Sequence, residues 1–368
     1  MARFLNYFKR LMIVVTVLLN TALAAAVLAQ YINPKTIWIF SVAGWIFPIL
    51  FLINFFLLGF WIIVRIKYSL LPLTILFISM PLVRDFVSFG FNKHKPEHAE
   101  PGGIRIMSYN VRNFDLYNWT NNERSRKGMI SIIKDENPDI ACFQEYYTQD
   151  TGFYNNTALL RTKAGFKYAH VEINYVLQKK QKWGIATFTN YPIINKGVVK
   201  FSTRTKNIAI YTDIVMPSDT FRVFNVHLQS YRLAQKDYNY IDSLQQGKPI
   251  DGESNKRIAN KIKNAFIVRA EQVLTLTDYI SKSPYKVILC GDFNDTPISY
   301  TYDQLTKNLS DAFIESGWGI GHTYISPIPL FRIDFILFDP AYSAYDYRCI
   351  RKNYSDHYPI STILRKEK

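Results

Sequence analysis

The sequence of 368 residues predicts an α/β domain carried behind a set of apolar N-terminal helices. Three observations lead there. Residues 1–95 hold nine Lys/Arg and one acid, Asp85, in otherwise mostly apolar sequence. From Ile104 onward, short β-rich runs alternate with stretches of helical spacing, the pattern of strands interleaved with helices. The third observation is that six of these runs finish in Asn, Glu, Asp or His. In α/β folds, strand ends are where ligand sites gather.

Taken in order, residues 11–30, LMIVVTVLLNTALAAAVLAQ, carry no charge, and about 20 apolar residues suffice to cross a bilayer. Residues 36–64 form a longer uncharged stretch with Trp38, Trp45 and Trp61. Tryptophans near its two ends fit an interfacial belt. A third stretch, Tyr68–Pro81, runs into Arg84 and Asp85 and spans only if those charges lie at the interface. The alternative for the first stretch is a cleaved signal peptide, since Arg3, Lys9 and Arg10 precede it and small residues end it. Two more apolar segments follow at once, which favours an anchor. The expected organisation is a membrane anchor at 1–92 with two to three helices, a linker at 93–103 within "NKHKPEHAEPGG", and one folded domain at 104–368.

Basic residues favour the cytoplasmic ends of membrane helices. Three precede the first apolar stretch, Lys35 follows it, and Arg65 with Lys67 follow the second. With three spans, the domain is expected outside the cytoplasm, on the periplasmic side of a bacterial inner membrane.

Beyond residue 95 the chain holds 35 Lys/Arg against 28 Asp/Glu, a net +7. That excess suits an anionic substrate or a membrane surface and does not demand nucleic acid. No dense basic stripe with interleaved aromatics is present. Three cysteines cannot build a disulfide framework, and Cys142 and Cys290 lie in apolar runs as small core residues.

The candidate strands are Ile104–Val111, Ile140–Gln144, Ile185–Thr189, Ala209–Val215, Phe221–Val226, Val287–Cys290 and Ile333–Phe338. The candidate helices are Ser125–Asp135 and a long one over about Ser254–Ser281. Arg269 and Gln272 fall on or near the apolar face of the long helix. There an Arg is expected to pack its stem and reach solvent, with support of a site the alternative. The Tyr231–Lys256 insertion reads as a surface loop that could border a cleft.

The strand ends carry the chemistry. "IMSYNVRNF" places Asn110 after an apolar run, and "DIACFQE" places Glu145 just past Phe143. "FRVFNVHLQS" sets Asn225 and His227 two apart, as "LCGDFNDTP" sets Asp292 and Asn294, hence on one face of an extended chain. "RIDFILF" encloses Asp334, and "SDHYP" joins Asp356 to His357. Singly, each has an ordinary reading: a turn Asn, a surface Glu, a solvated Asp–His pair. Asp334 is different, because a carboxylate in an apolar strand is costly without a partner. His357 is one candidate partner, and a structural ion pair with Arg332 or another base is the alternative. Together these oxygen-rich side chains suit a hard cation such as magnesium or manganese rather than zinc. A divalent ion with histidines and amides suits phosphate chemistry.

Seven motifs, from the Asn110 strand through "QE" at Glu145, "WGIATFTNYPI" from Trp183, "NVHL", "GDFND", "RIDFI" and "SDHYP", run in order over about Ile104–Leu364. In this the chain resembles the endonuclease/exonuclease/phosphatase superfamily. The resemblance implies a DNase I-like four-layer α/β sandwich, with two mixed β-sheets packed face to face and helices outside. It also implies a Mg²⁺-dependent phosphoesterase, with Mn²⁺ possible. Glu145 would be the main carboxylate ligand, with Asn110 and Asp356 completing the metal site. His357, oriented by Asp334, and Asp292 would be the candidates for activating water. Asn294 would orient nucleophile or phosphate, and His227 would contact phosphoryl oxygens or protonate the leaving group. The family cleaves DNA, RNA, sphingolipids and inositol phosphates, so the substrate stays open. The membrane helices with "GDFNDTPISYTY" look like membrane-anchored bacterial members.

The expected function is therefore a membrane-anchored, nuclease-like phosphodiesterase, with a sphingomyelinase-type lipid phosphodiesterase as the alternative. A non-catalytic membrane-tethered binding module is the reading of another class. Binding alone does not require Asp334 behind His357. The expected partners are a phosphoester substrate, nucleic acid or phospholipid, and the bilayer; no protein partner is inferable.

Overall fold

The computed structural model describes residues 2–90, 103–122, 124–202, 207–326 and 331–366. The expected linker, apart from Gly103, lies outside them. Three helices are long and apolar enough to cross a membrane, over Asn6–Leu28, Phe47–Val64 and Ile66–Val83. The apolar stretch at 36–64 is not one helix. A short helix, Ile39–Trp45, ends at Ile46, and a new one starts at Phe47 with Pro48 in its first turn.

Trp61 and Trp45 differ from the interfacial belt that the sequence predicts. Trp61 is buried between helices, its indole N–H donating to Thr16 Oγ1 at 2.8 Å. A buried indole needs such a partner, and Thr16 supplies it. Trp45 turns to the following domain, with ring centroids 5.2 Å from Tyr231 and 5.4 Å from Phe331.

That domain is built on two six-stranded sheets. The first orders Tyr342–Cys349, Ile360–Lys366, Ile104–Asn110, Ile140–Thr148, Gln181–Thr189 and Tyr168–Leu177. The second orders Ser310–Asp311, Asp334–Phe338, Lys286–Asp292, Thr220–His227, Ala209–Val215 and Ile193–Val198. Each is mixed, with a central parallel pair: Ile104–Asn110 beside Ile140–Thr148, and Thr220–His227 beside Lys286–Asp292. Ile106, Cys142, Val223, Ile288, Cys290 and Ile336 fill the space between the sheets. Met129 and Ile133 of the Ser125–Glu136 helix cover the outside of the first sheet, and Val273 and Leu276 of Gly252–Ser281 cover the second. Helix, sheet, sheet and helix make the four layers.

Asn225 is a fastener of this sandwich. It is fully buried, donates from Nδ2 to Ala186 O at 2.8 Å, and accepts from Gln144 Nε2 at 2.7 Å. A buried amide tied on both sides holds the two sheets in register.

The apolar N-terminal segment packs on the domain. Val87–Phe89 pairs with Trp318–Ile320 in a two-stranded sheet. Ile298 joins Leu23, Ala26, Phe47 and Phe86 in one apolar cluster. Arg332 Nη2 donates to Asp85 O at 2.8 Å, and Lys35 pairs with Glu271 at 3.1 Å. The Tyr231–Lys256 insertion, read as a loop, contains the helix Gln235–Gln245. Its buried Asp237 is held by Arg257 and Lys261 from the long helix, so order comes from an ion cluster rather than apolar spacing.

Candidate active site

Register brings the site together. The parallel pairings set His227 opposite Asp292, and Asp334 faces Asp292 from the other side in the antiparallel pair. Gly291, paired with Val226, has φ 148°, and a Cβ there would overlap the Val226 carbonyl oxygen. A glycine is required for the two strands to run this close. In the other sheet, the ladder of Ile140–Thr148 against Gln181–Thr189 slips between Phe143 and Tyr146. Glu145 sits in that bulge with φ 49°. Bulges re-aim side chains, and the Glu145 side chain is 35% accessible in an otherwise buried strand.

Asp292 is the hub. Its Oδ2 accepts from Asn110 Nδ2 at 3.0 Å and lies 3.7 Å from both His227 Nε2 and His357 Nε2. Its Oδ1 accepts the Asn294 backbone N–H at 2.8 Å, where Asn294 takes a left-handed φ of 53°. The Asn294 amide donates to Leu228 O at 3.1 Å, so it fixes the loop beside His227. His227 Nε2 also stands 3.9 Å from Glu145 Oε1. His357 Nδ1 bonds Asp334 Oδ2 at 2.8 Å, which decides the partner of Asp334. Arg332 instead pairs with Asp311 at 2.6 Å. Asp356 meets Arg112 Nε at 3.2 Å, while Ser355 Oγ donates to Asn110 O at 2.8 Å and ties the "SDH" turn to the Asn110 strand. The eight residues to which the resemblance gives a role are thus brought to one place, while Asn225, also at a strand end, is spent between the sheets on Gln144 and Ala186.

Their electrostatics are divided. Burial pushes Glu145 up to about 7, Asp356 adds to it, and His357, Asn110 and Arg112 oppose. Burial likewise lifts Asp292 to about 6. On His357 burial disfavours the charge, but Asp334 and Asp292 outweigh it and hold its pKa well above the ordinary value. His227 is lowered, by burial first. The two histidines are pushed in opposite directions, the kind of split that separates acid from base roles.

Beside these groups lies an open cleft of about 830 Å³, lined by Glu145, His227, Asn113, Trp183, Tyr175 and Arg232 among others. Several supporting residues were not foreseen. Arg112 follows Asn110 by two and could have been noticed in "NVRNF". Thr323, whose Oγ1 accepts the backbone N–H groups of Ile333 and Asp334 at 3.1 Å each, sits in a loop that gives no local signal. Arg269 corrects an expectation: it does not reach solvent. It is fully buried, donating to Asp295 Oδ2 at 3.2 Å, Gln229 O at 2.7 Å and Tyr231 Oη at 3.1 Å. Gln272 accepts the Gln229 N–H at 2.9 Å. Asp295 supplies the charge that makes a buried guanidinium tolerable.

A family model described as the endonuclease/exonuclease/phosphatase family matches residues 107–357. The chain belongs to that family. Its members hydrolyse phosphoester bonds, and the acid–base cluster above falls within the matched range. A second model, described as a domain of unknown function (DUF8431), matches residues 9–86, the apolar helices. No curated protein matches in sequence. Among similar solved structures is the human Nocturnin catalytic domain with bound sulfate anion, at 17% identity over 76% of this chain and 99% of that one, TM-score 0.53. Family proteins from Bacteroides vulgatus (18%, 73% and 100%, TM-score 0.52) and Beutenbergia cavernae (15%, 72% and 72%, TM-score 0.52) are similar. At these identities the likeness is one of fold.

Family enzymes use divalent metals, and the residues here fit one. Glu145, Asp292 and Asp356 bring oxygen donors together; burial first raises the Glu145 and Asp292 carboxyls, and the neighbouring Asp356 and Asp334 charges add to it. Asp334 Oδ1 is buried with no partner among the described residues. Asp292, Asp334 and His357 have ligand atoms within 4.8 Å of one another. Within that trio His357 Nδ1 bonds Asp334 Oδ2 at 2.8 Å while its Nε2 stands 3.7 Å from Asp292, the geometry of a proton relay. The Glu145 side, with Asn110 and Asp356 near, offers the oxygen set a hard cation takes.

Proposed function

We infer that the protein is a membrane-anchored, Mg²⁺-dependent phosphodiesterase. The observation that carries this is the arrangement around Asp292: His357 backed by Asp334 on one side, and His227 on the other. Asp292, held by Asn110 and the Asn294 N–H, is the carboxylate that takes a proton from the attacking water. His357 holds a phosphoryl oxygen by charge. His227, between Asp292 and Glu145, lies where a leaving oxygen would be met. Bound by Glu145, Asp356 and Asn110, Mg²⁺, or Mn²⁺ in its place, would supply positive charge against the phosphoryl oxygens.

The anchor reading is supported by where the basic residues fall. Lys9 and Lys67 both lie over the Tyr68 ring, at 5.4 and 5.1 Å, so the first helix starts beside the turn that follows the second. Arg10 and Arg65 belong to the same end, opposite the catalytic domain. Lys35 and Arg84 are at the domain end, and Lys35 is paired with Glu271. By the basic-residue rule the far end is cytoplasmic and the catalytic domain periplasmic.

The test is hydrolysis of bis-p-nitrophenyl phosphate by the full chain in detergent. Mg²⁺ should restore activity after EDTA, and Glu145→Gln should lose at least ~100-fold at saturating metal with an unchanged fold. Near wild-type turnover in EDTA or in the variant would sink the metal assignment.

A further inference from the structure

We propose that the substrate is the phosphodiester of a lipid headgroup in the leaflet on which the catalytic domain rests, a reading that builds on the phosphodiesterase assignment above. The end of the sandwich bearing the acid–base residues is also the end seated on the apolar helices. From Asp292 the chain reaches Ile298, which packs among Leu23, Ala26, Phe47 and Phe86. Gly44 lies so close to the Ile298 carbonyl that a Cβ would overlap it. From His227 the chain reaches Tyr231, whose ring meets Trp45 at 5.2 Å. Phe331, just before Asp334, meets the same indole at 5.4 Å. Three strand ends of the site therefore lead straight into the helix bundle. With the helices across a bilayer, the reacting groups stand close to its surface.

The rim of the cleft has the composition of a surface that enters a headgroup layer. Tyr117, Tyr175 and Leu177 line the cleft, and they and their neighbours Trp119 and Val176 are exposed large apolar side chains, the last three residues of the Tyr168–Leu177 strand among them. Lys179 and Lys180 follow at once in the turn, exposed as well. Apolar side chains flanked by lysines are what interfacial elements carry. The loop between the first two long helices exposes Tyr31, Ile37 and Ile39 at the same end. A nucleic acid, a polyanion, would have to enter between this apolar rim and the bilayer, whereas a lipid headgroup is already there.

The step needs no co-reactant beyond water. The water oxygen bonds to phosphorus, one ester P–O bond breaks, and the released oxygen takes a proton. The products are a phosphomonoester and an alcohol, one of which stays in the bilayer.

The experiment uses the full chain in vesicles of phosphatidylethanolamine, phosphatidylglycerol and sphingomyelin with Mg²⁺. Phosphomonoester is followed by ³¹P NMR, with bis-p-nitrophenyl phosphate and single-stranded DNA assayed alongside. Lipid turnover should exceed DNA cleavage by at least ~10-fold. Val176→Asp, which places a charge at the rim, should lower the ratio of lipid to soluble-diester turnover by ~10-fold. Hydrolysis of the soluble diester without lipid turnover, faster cleavage of DNA, or a ratio that Val176→Asp leaves unchanged would each overturn the lipid assignment while the phosphodiesterase reading stands. Failure to hydrolyse any of these substrates, the soluble diester included, would overturn both.

Discussion

Glu145 stands in a left-handed backbone conformation in which a non-glycine residue is uncommon, and its carboxyl is raised to about 7. Such a group is held where folding alone would not choose to put it. The pH consequence has a definite sign. A folded pKa raised above the ordinary 4.5 gives stability that is complete below about 4.5 and is lost as pH rises through about 7. Asp292, raised from 3.8 to about 6, acts in the same direction. Metal-free protein should therefore lose thermal stability between about pH 5 and 7.5, as the two carboxyls ionise. Metal-free Glu145→Gln should melt ~2–4 °C above wild type at the upper pH and level with it at the lower. That is the effect of about 1 kcal/mol, discounted because Glu145 is partly exposed. Mg²⁺ should reverse the order by stabilising wild type alone. Scanning calorimetry at the two pH values checks it, and a variant that melts lower at the upper pH would contradict the strain. The Asp334–His357 pair carries a second expectation. Asp334→Asn should slow turnover by ~10²–10⁴-fold, since His357 loses the group that fixes its proton. The double variant with His357→Ala should be little slower than His357→Ala alone. Additive losses, read from kcat, would mean the two act separately.

Among elements, the Gly252–Ser281 helix shows what periodicity can and cannot tell. Its apolar stripe was legible, and Val273 and Leu276 pack as that stripe requires. Arg269 on the same face was not, because its partners come from distant segments: Gln229, Tyr231 and Asp295. Arg269→Met should leave Asp295 buried without its counter-charge, though Thr301 Oγ1 and the Thr296 N–H still donate to it, and take the donor from the Gln229 carbonyl, at a cost of about 3–5 kcal/mol. Arg269→Lys, which keeps the charge but not the fork, should fall between. Thermal melting of the full chain in detergent measures both, and a neutral Arg269→Met would show that the network bears no weight. The strands tell a similar story. The seven expected from apolar runs all form, with bounds shifted by a few residues. Tyr168–Leu177 was missed because it is an edge strand with one exposed side and little alternation in its sequence. Ile360–Lys366 was missed although it lies inside its sheet, where neighbours on both sides override a weak local pattern.

For the whole molecule, the arrangement of helices and domain makes topology testable. In a cysteine-free background, Lys282→Cys lies on the catalytic domain with its side chain 71% exposed, and Lys67→Cys lies at the opposite end of the helix bundle. On intact spheroplasts, a membrane-impermeant thiol reagent should label position 282 and spare position 67 until lysis. The reverse pattern would put the catalytic domain in the cytoplasm and leave its chemistry as it is.

What the sequence determined by itself was local or sequential: two to three apolar helices, alternating strands and helices, and an ordered series of acids, amides and histidines at strand ends. Hydropathy, periodicity and turn chemistry act between near neighbours, so they are written along the chain. The tertiary structure decided what depends on two elements at once. Parallel register brought His227 to Asp292, the antiparallel pair brought Asp334 beside them, and the bulge at Glu145 completed the cluster across the other sheet. It also gave Asp334 to His357 rather than to Arg332, and set Trp45 against Tyr231 and Phe331. Each of these is a choice among partners that the chain presents at similar local cost, and packing settles it, because a contact's energy belongs to the pair and not to either sequence alone.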